Sequence, residues 1–460
     1  MSRKYFGTDG IRGVANQKLT PELAFSLAQA VGRYLIRHKQ EPFVAIGLDT
    51  RRSGPMLEAA MIAGLNSVGV SVQTLGIVPT PTVSYVARTF HFGMGVIISA
   101  SHNPAPDNGI KLVGHDGGKL PESVELEIEA LMESPLENRP VGEGVGSSKP
   151  DQIGIETYLN SLVALVPERL DGLRVAVDAA HGAAYKLAPE ILIRLGAEVV
   201  VTGAEPDGIN INEEGGATKP ETIQDFTLEH GCDIGVAFDG DADRAVFCDE
   251  KGRLINGDRT MGIWAVHWQK QGKLNPPVVV GTVMTNGGFE AFLESKGIAL
   301  ERAPVGDKYV AQRIQETGAR VGGEQSGHII FPEIGPTGDG LVTMLELLRV
   351  LRREDRPASE FYDDYIPWPQ LLINVSVESK DSWNQGPRVQ SALSQAESDL
   401  VGKGRINVRP SGTQPMVRVM VEADDISTRD QVAHAVVEAL EGEAKGEIYS
   451  KVDLTYALGD

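Results

Sequence analysis

Short apolar runs, each followed by a polar loop and then by a segment with helical spacing, recur along most of this chain. Four of these runs cover residues 43–48, 94–98, 173–177 and 277–283. Strands that alternate with helices are typical of parallel sheets covered on both faces. Ser53 and Thr80 are expected to begin helices. Because strand, polar turn and helix return in three successive blocks, the sequence predicts three related α/β units.

The last part of the chain has a different pattern. Residues 371–377 and 416–421 alternate as half-exposed strands do, and residues 428–440 have helical spacing. This pattern predicts a smaller α+β domain with an antiparallel sheet. Residues 133–150 are rich in Gly, Pro and Ser without an apolar period, so we place the first domain boundary there.

The predicted fold class is therefore α/β, with mixed, mainly parallel sheets in three related units and a smaller C-terminal α+β domain. The predicted domains are residues 1–150 with a serine loop, 151–254 with an acidic loop, 255–367 with a Gly-rich loop, and 368–460 with an Arg-bearing loop.

Composition excludes several classes of partner. Acidic residues outnumber basic residues 63 to 43, and a surface with a formal charge of −20 repels nucleic acid and anionic lipid. A phosphate site would therefore need a local cluster of Arg, Lys and backbone N–H groups. The chain has two cysteines, Cys232 and Cys248, and no apolar run of the ~20 residues that a membrane span needs. We expect a cytoplasmic protein without a nucleic-acid or membrane partner.

The first chemical motif follows a buried run and reads Ser99-Ala100-Ser101-His102-Asn103-Pro104. In an α/β unit the loop after the carboxyl end of a strand is where ligands bind. Ser101 is expected to be exposed there, and Asn103-Pro104 favours a turn that fixes its direction. A serine-rich turn that merely caps the next element explains this pattern equally well.

The second motif carries three alternate carboxylates, Asp239, Asp241 and Asp243, directly after the apolar run 234–238. Carboxylate oxygens are the hard donors that Mg²⁺ prefers, and three such charges repel one another without a cation. An EF-hand loop starting at Asp239 would place Arg244 at the sixth position, where the sharp turn needs glycine. A solvated acidic turn fits poorly after an apolar run. The motif predicts a metal site.

Three further segments are weaker signals when each is taken alone. The segment Gly322–His328 offers Glu324 and Ser326 as acceptors for sugar hydroxyls. Arg409–Pro415, with Arg418 beyond it, combines guanidinium groups, hydroxyls and a Gly turn that suit a phosphate. Gly7–Gly13 supplies Arg12. An ordinary Gly-rich or Arg-bearing turn explains each of these segments as well.

These motifs, taken together and in this order, resemble those of the α-D-phosphohexomutase family over essentially the whole chain. Gly7–Gly13 and Asp107–Lys111, together with Gln325, look most like the branch that acts on glucosamine phosphate. Family members have three related α/β domains and a smaller C-terminal domain around a central cleft, which agrees with the pattern above.

The resemblance implies a role for each motif. Ser101 carries a phosphoryl group, and Asp239, Asp241 and Asp243 hold one Mg²⁺ together with an oxygen of phosphorylated Ser101. The substrate-site positions are Glu324 and Ser326 for the sugar, and Arg409, Ser411, Gly412, Thr413 and Arg418 for the phosphate that does not react. The positions near the phosphoserine are Arg12, His102, Lys111 and His328, and Arg244 is a further candidate to neutralise charge.

The resemblance also implies the reaction. Phosphorylated Ser101 donates its group to a hexose 6-phosphate, the bound glucosamine or glucose 1,6-bisphosphate turns end for end, and the other phosphate returns to Ser101. Lys111 or His328 exchanges the proton with the sugar hydroxyl. The expected partners are a phosphosugar, the bisphosphate as activator, a kinase or bisphosphate donor that first phosphorylates Ser101, and a second copy in a homodimer.

Three alternatives stay open beside this prediction. A phosphoglucomutase or phosphomannomutase would use the same machinery on another sugar. An aspartate-nucleophile phosphatase would need an Asp-x-Asp-x-Thr-like loop, whereas here Arg244 follows the three acids, and it would leave Ser101 unexplained. A non-catalytic sugar-phosphate sensor would not need the serine, the three acids and the phosphate loop in one chain. Two positions depart from the family pattern, Gln414 in place of the commoner Glu and Lys308 in place of the commoner Arg.

Overall fold

Four β-sheets follow one another along the chain. The computed structural model describes residues 3–7, 9–136, 138–379, 382–411 and 415–456. The elements of the first sheet and its helices are β1 (Ile11–Val14), α1 (Pro21–Arg37), β2 (Phe43–Leu48), α2 (Gly54–Asn66), β3 (Ser71–Ile77), α3 (Thr80–Thr89), β4 (Met94–Ile98), β5 (Asp107–Gly114), α4 (Glu122–Glu133) and β6 (Ser148–Pro150).

The first sheet has the strand order β1-β5-β4-β2-β3-β6, in which β6, β3, β2 and β4 run parallel and β5 and β1 are antiparallel to their neighbours. Strands β2 and β4 are adjacent, so Leu48 pairs with Ile98 and the residues that follow both strands lie side by side. Strand β5 begins at Asp107, so the polar loop after β4 covers residues 99–106. The Gly- and Pro-rich segment 133–150 ends in β6, which adds an edge strand beside β3.

Ser53 and Thr80, the two residues expected to begin helices, do not use their hydroxyls to cap those helices. Ser53 precedes α2 without making a capping hydrogen bond, and its Oγ accepts from the amide of Asn108 at 2.9 Å instead. Helix α3 begins at Thr80 after Pro79, so the Thr80 hydroxyl lies inside the first turn and is available to the acidic loop.

The second and third sheets repeat the α/β pattern. The second has the strand order β11-β10-β9-β7-β8, and the third has the order β13-β12-β14-β15; both combine parallel and antiparallel pairs. Their elements are α5 (Gln152–Val163), β7 (Arg174–Asp178), α6 (Leu187–Arg194), β8 (Glu198–Thr202), α7 (Glu221–His230), β9 (Ile234–Phe238), β10 (Ala245–Asp249), β11 (Leu254–Ile255), α8 (Gly257–Lys270), β12 (Val278–Thr282), α9 (Gly287–Ser295), β13 (Ala299–Ala303), α10 (Asp307–Thr317), β14 (Gly322–Gly323), β15 (Ile329–Ile330), α11 (Gly340–Glu354) and α12 (Ala358–Asp363).

The fourth sheet is antiparallel, with the order β17-β18-β16-β19 and two helices on one face. Its elements are β16 (Gln370–Ser376), α13 (Pro387–Asp399), β17 (Gly404–Pro410), β18 (Met416–Ala423), α14 (Ile426–Glu443) and β19 (Glu447–Asp453). The prediction of three related α/β units and a smaller α+β domain is therefore confirmed, whereas the exact domain boundaries stay a prediction.

The hydrophobic cores follow this division with one exception. A single cluster of buried residues runs from the helices of the second sheet, at Leu192, through Phe238 to Leu345 on α11, and so joins the second and third units. The fourth sheet packs its own core, which includes Val419 and Val436. None of the helices in the described part of the chain is both long and apolar enough to cross a membrane.

Candidate active site

Ser101 lies in the turn after β4, which we call the serine turn (Ser99–Pro104), and it has a left-handed backbone with φ of 53°. That conformation is unfavourable by about 1–2 kcal/mol for a residue with a Cβ, so contacts must hold it. The hydroxyl donates a 2.6 Å hydrogen bond to Oδ2 of Asp239 and lies 3.3 Å from Nδ1 of His102. Ser101 is only 2% exposed, so the expectation of an exposed serine was wrong. The second unit covers it.

Arg51 holds the serine turn in place through hydrogen bonds to its backbone carbonyls. Its guanidinium is fully buried and donates to five oxygens at 2.5–3.0 Å, so every N–H of the group has an acceptor. The acceptors are Oδ2 of Asp49 and the carbonyls of Ser101, Asn103, Pro104 and Asp107. Because β2 and β4 are neighbours, the residues after β2 reach the turn after β4.

The second unit holds the serine turn from the other side. The amide of Asn212 donates to the carbonyls of Ser101 and Asn103 at 2.9 and 3.2 Å. A Cβ added at Gly240 would lie 2.6 Å from the Ser101 carbonyl, so only glycine allows this approach. The serine turn and the acidic motif are therefore packed directly against each other.

The acidic motif forms the loop between the antiparallel strands β9 and β10, which we call the acid loop (Asp239–Arg244). One ligand atom from each of Asp239, Asp241 and Asp243 can be chosen so that all three lie within 4.8 Å of one another. Oδ1 of Asp241 and Oδ1 of Asp243 are buried without a hydrogen-bond partner among the described residues. Strands on both sides rule out the helix–loop–helix of an EF-hand. Clustered oxygens with free lone pairs fit a small divalent cation.

Burial and mutual repulsion set the charges of the acid loop. Burial raises the pKa of Asp239 well above its ordinary value, and the carboxylates of Asp243 and Asp241 raise it further. Burial also acts to raise the pKa of Asp241, but the Lys111 ammonium and a bond from Thr80 hold it below its ordinary value. A bound cation would offset the repulsion among the three carboxylates and so favour the ionised form of Asp239.

Lys111 and Thr80 meet on the same oxygen of the acid loop. Nζ of Lys111 lies 2.9 Å from Oδ2 of Asp241, and the Thr80 hydroxyl donates to that oxygen at 2.7 Å. Lys111 also lies 3.0 Å from Oδ2 of Asp9, which forms an ion pair with Arg12. Arg12 pairs in register with Gly109 on β5, two residues from Lys111, so the first and fifth strands bring these two cations to one place.

A large cleft, with a volume of about 840 Å³, is lined by residues from all four domains. The predicted residues among those that line it are His102, Arg244, Glu324, Ser326, Arg409 and Arg418. Gln325 lines it as well, and its Oε1 has no hydrogen-bond partner among the described residues. Lys111 and His328 line a smaller cavity of about 40 Å³ that also includes Asp9 and Asp243.

Burial and nearby cations act on His102 at the edge of this cleft. Burial lowers the pKa of His102 to about 4, and the charges of Arg244 and Arg12 act in the same direction. The imidazole is therefore neutral near pH 7.

The Gly322–His328 loop holds its glutamate in place. Oε1 of Glu324 accepts from the backbone N–H of Gly306 at 3.0 Å. The Glu324 carbonyl packs against Gly257 so closely that a Cβ there would lie 1.9 Å away.

The arginine segment faces the cleft from the fourth sheet. Arg409 and Arg418 are cross-strand neighbours on β17 and β18, and the backbone N–H of Ser411 donates to the carbonyl of Met416 at 2.8 Å. The predicted residues Gly412 and Thr413, and the departure at Gln414, lie outside the described residues.

Five residues of the site were not assigned a role from the sequence: Arg51, Asn212, Asp9, Lys119 and Asp307. Arg51 had a signal, because Asp49-Thr50-Arg51 follows a buried strand just as the serine turn does. The Thr80 hydroxyl was read only as a helix start, although it bonds Asp241. Lys119 and Asp307 had no signal, since their partnership joins segments almost 190 residues apart through the fold alone.

The structure has three α/β domains and a smaller α+β domain around one cleft, and Ser101 lies against the acid loop. This arrangement defines the four-domain class of sugar-phosphate enzymes. Residues 3–139, 156–252 and 256–367 match the phosphoglucomutase/phosphomannomutase alpha/beta/alpha domains I, II and III. Residues 372–439 match the C-terminal domain of the same proteins. The chain belongs to the phosphoglucomutase/phosphomannomutase family of α-D-phosphohexomutase enzymes.

Individual relatives agree with this assignment. The phosphoglucosamine mutase of Brevibacillus brevis is 46% identical over 441 residues, which cover 95% of this chain and 98% of that protein. A phosphoglucomutase/phosphomannomutase family protein from Burkholderia thailandensis has a TM-score of 0.82 at 25% identity, with 96% of this chain and 98% of that chain covered. The N-acetylphosphoglucosamine mutase of Aspergillus fumigatus, solved with GlcNAc-6P and magnesium, shares the fold with a TM-score of 0.66 at 18% identity and 96% coverage of both chains.

Proposed function

We propose that this chain is a phosphoglucosamine mutase, which interconverts glucosamine 6-phosphate and glucosamine 1-phosphate through a phosphoryl group on Ser101. The observation that carries the proposal is the 2.6 Å bond from the Ser101 hydroxyl to Asp239 in the acid loop. It is supported by the bacterial relative named above, which is similar over nearly the whole chain. A phosphoglucomutase or phosphomannomutase with the same chemistry is the alternative.

The acid loop suits one Mg²⁺, held by Asp239, Asp241 and Asp243 together with an oxygen of phosphorylated Ser101. The fit is based on the two buried Oδ1 atoms of Asp241 and Asp243 that have no partner among the described residues. When bound, such a cation neutralises charge on the transferring phosphoryl group. The Aspergillus fumigatus enzyme of the same fold was solved with magnesium, which agrees with this proposal.

In the proposed reaction, the P–O bond to Ser101 breaks as a P–O bond forms to the sugar hydroxyl, whose proton passes to the imidazole of His328. Lys111, paired with Asp241 and Asp9, is already an ammonium group and cannot accept that proton. The product is a bound hexose 1,6-bisphosphate. After it turns, its other phosphate returns to the Ser101 oxygen and the proton goes back to the freed sugar oxygen. Arg12, Lys111 and Arg244 place positive charge around the group in transit, which stabilises a transition state with charge on its equatorial oxygens.

The far phosphate and the sugar would be held at the other walls of the cleft. Arg409 and Arg418 present two guanidinium groups to the cleft, and Ser411 follows Arg409 by two residues in the chain. Glu324 and Ser326 would accept hydrogen bonds from sugar hydroxyls. We further propose that the free Oε1 of Gln325 accepts from the 2-ammonium group of glucosamine, which a 2-hydroxyl satisfies less strongly. A homodimer and a bisphosphate donor or kinase for Ser101 stay predictions.

The first prediction tests the reaction and the sugar together. Wild type and Ser101→Ala are assayed with Mg²⁺, a trace of hexose bisphosphate, and glucosamine 6-phosphate, glucose 6-phosphate or mannose 6-phosphate. We expect kcat/KM to be highest for glucosamine 6-phosphate, and the alanine variant to lose about 10³-fold or more because the phosphoryl carrier is gone.

Either result is informative about the proposal. A preference for glucose or mannose phosphate would keep the mechanism and select the alternative enzyme. Full activity of Ser101→Ala would contradict the proposed phosphoserine chemistry. Ser99→Ala provides a comparison in the same turn, since Ser99 only accepts from the Ser101 backbone and donates to Asp49.

A further inference from the structure

Five side chains of alternating charge and one histidine connect three of the domains next to the acid loop. We call them the charge chain, and in order they are Asp241, Lys111, Asp9, Lys119, Asp307 and His328. Successive members lie 2.9, 3.0, 2.6, 2.5 and 3.8 Å apart. Asp241 belongs to the second domain, Lys111, Asp9 and Lys119 to the first, and Asp307 and His328 to the third.

Lys119 is the member that joins the first domain to the third. Its Nζ lies between Oδ1 of Asp9 in the N-terminal segment and Oδ2 of Asp307, the first residue of α10. Both carboxylates are about one-quarter exposed and Lys119 is 29% exposed, so water screens these charges only in part. Without Lys119 the two carboxylates would face each other across the domain boundary and repel.

Lys111 and His328, the two groups that the sequence suggested for proton exchange, are the second and the last members of the charge chain. Asp9 holds Lys111 from the side opposite the acid loop, and Asp307 faces Nε2 of His328. A Cβ added at Gly338 would lie 2.3 Å from that same nitrogen, so the imidazole is confined on its other side as well. The helix start at Asp307 also carries the Gly306 N–H that bonds Glu324. One ammonium group therefore pairs with both the carboxylate that contacts Lys111 and the carboxylate that faces His328.

The charge balance shows how strongly Asp9 depends on its cations. Burial acts to raise the pKa of Asp9, yet the charges of Lys111, Lys119 and Arg12 together hold it well below its ordinary value. Asp9 is therefore a carboxylate between two ammonium groups. Removing the Lys119 ammonium would change the position of Lys111, because Lys111 pairs with both Asp9 and Asp241.

We propose that Lys119 is a positioning residue, which fixes Lys111 through Asp9 and His328 through Asp307 and so aligns the first and third domains for phosphoryl transfer. This inference rests on the proposed function. It predicts that loss of the ammonium group lowers the rate of the chemical step more than it weakens substrate binding, since Lys119 holds groups at the reacting oxygen and the phosphate-gripping arginines lie on the fourth domain.

The experiment compares Lys119→Met, Lys119→Arg, Asp307→Asn and the double variant Lys119→Met/Asp307→Asn. The matched control is Arg194→Met on α6, because Arg194 also pairs with two carboxylates, at 2.8 and 2.6 Å, and is 30% exposed, but lies on the surface of the second domain. We measure kcat and KM with the hexose phosphate that wild type prefers, together with the thermal midpoint of each variant.

We expect Lys119→Met to lower kcat by about 10–100-fold, the range for misplacement of a reacting group by ~1 Å, with KM changed less than about threefold. Lys119→Arg should recover part of kcat. The double variant should lose less than the product of the two single losses, because both remove the same bridge. Arg194→Met should keep wild-type kcat and lower the thermal midpoint no more than Lys119→Met does.

Other outcomes would overturn the role of Lys119. These are a wild-type kcat in Lys119→Met, an equal kcat loss in Arg194→Met, or fully multiplicative losses in the double variant. Ser101→Ala is assayed in parallel as the check on the proposed function. An active Ser101→Ala variant removes the proposed function, whereas full kcat in Lys119→Met with an inactive Ser101→Ala removes only the inference about Lys119.

Discussion

Arg51 sits under the serine turn with its guanidinium group fully enclosed and every N–H bonded. Four of the five acceptors are backbone carbonyls; three of these belong to the serine turn, and the fourth is that of Asp107 at the start of β5. Because the left-handed backbone at Ser101 is unfavourable alone, a rigid planar fork that bonds several carbonyls at once is well suited to hold it. A lysine has the same charge without this geometry.

Arg51→Lys is therefore expected to damage both the fold and the reaction. Losing several buried charge-assisted bonds should lower the free energy of unfolding by about 2–4 kcal/mol. The released serine turn should lower kcat by about 100-fold. Urea unfolding and steady-state kinetics check this, with the exposed neighbour Arg52→Lys as the control. Wild-type values for Arg51→Lys would show that charge alone is sufficient.

At the scale of elements, the first turn of α11 supports the acid loop from the third domain. The cap residue Asp339 accepts from the N–H groups of Leu341 and Val342, both at 3.0 Å, and from the Tyr158 hydroxyl at 2.8 Å. The N–H of Gly340, which directly follows the cap residue, donates to the carbonyl of Ala242 at 3.0 Å. The helix start and the acid loop are thus fixed to each other.

Gly340→Ala tests this contact between elements. Replacing glycine by alanine inside a helix usually stabilises it by about 0.5–1 kcal/mol. Here the new Cβ would lie 2.7 Å from the Arg244 carbonyl and 2.8 Å from that of Ala242. We expect a net loss of about 1–3 kcal/mol in the free energy of unfolding and a higher Mg²⁺ concentration for half-maximal activity.

Gly335→Ala is the control for that substitution, since a Cβ at Gly335 meets no atom within 4 Å. Unchanged stability and Mg²⁺ dependence in Gly340→Ala would contradict the claim that α11 sets the position of the acid loop. Equal effects in both variants would do the same.

At the scale of the whole molecule, the fourth domain has its own core and joins the third through a cluster of polar contacts. Oε1 of Glu422 accepts from the N–H of Gly287 at 2.7 Å, and Arg405, 3.0 Å from the same oxygen, donates to the carbonyl of Thr285 at 2.5 Å. The fully buried Asp258 accepts from the N–H of Asn286 in this segment. This polar joint, rather than a shared hydrophobic core, connects the arginine-bearing domain to the third domain.

This joint gives a prediction about pH. Burial raises the pKa of Asp258 to about 7, although the Asn286 N–H acts to lower it. The folded protein therefore keeps a proton that the unfolded chain releases near pH 4, so this group's contribution to stability is complete at low pH and is lost as pH rises to about 7.

Asp258→Asn should remove that dependence. We expect the variant to be more stable than wild type by about 2–4 kcal/mol at pH 8 and nearly equal to it at pH 4.5, as measured by urea unfolding at both values. Asp424→Asn, at an exposed position, serves as the control. The same pH slope in wild type and Asp258→Asn would contradict the prediction.

Much of the architecture was readable from the sequence because it depends on local patterns. Buried strands such as β2, β4 and β9 were placed at their observed bounds, since continuous apolar runs end sharply at polar loops. The segment 371–377 was read as a strand of an antiparallel sheet from its alternation, and β16 confirms this. Ser53 and Thr80 show the limit: capping residues are recognisable, but what their hydroxyls bond is set by the elements packed against them.

The sequence by itself determined the fold class and the short motifs that carry chemistry, because apolar period and turn chemistry are properties of neighbouring residues. Only the tertiary structure decided which motifs meet. It buried Ser101 under the acid loop, brought Arg51 beneath the serine turn, and placed Lys119 between Asp9 and Asp307 from two domains. These partnerships depend on strand order and on how whole domains pack. No local spacing in the chain encodes a contact between residues 119 and 307.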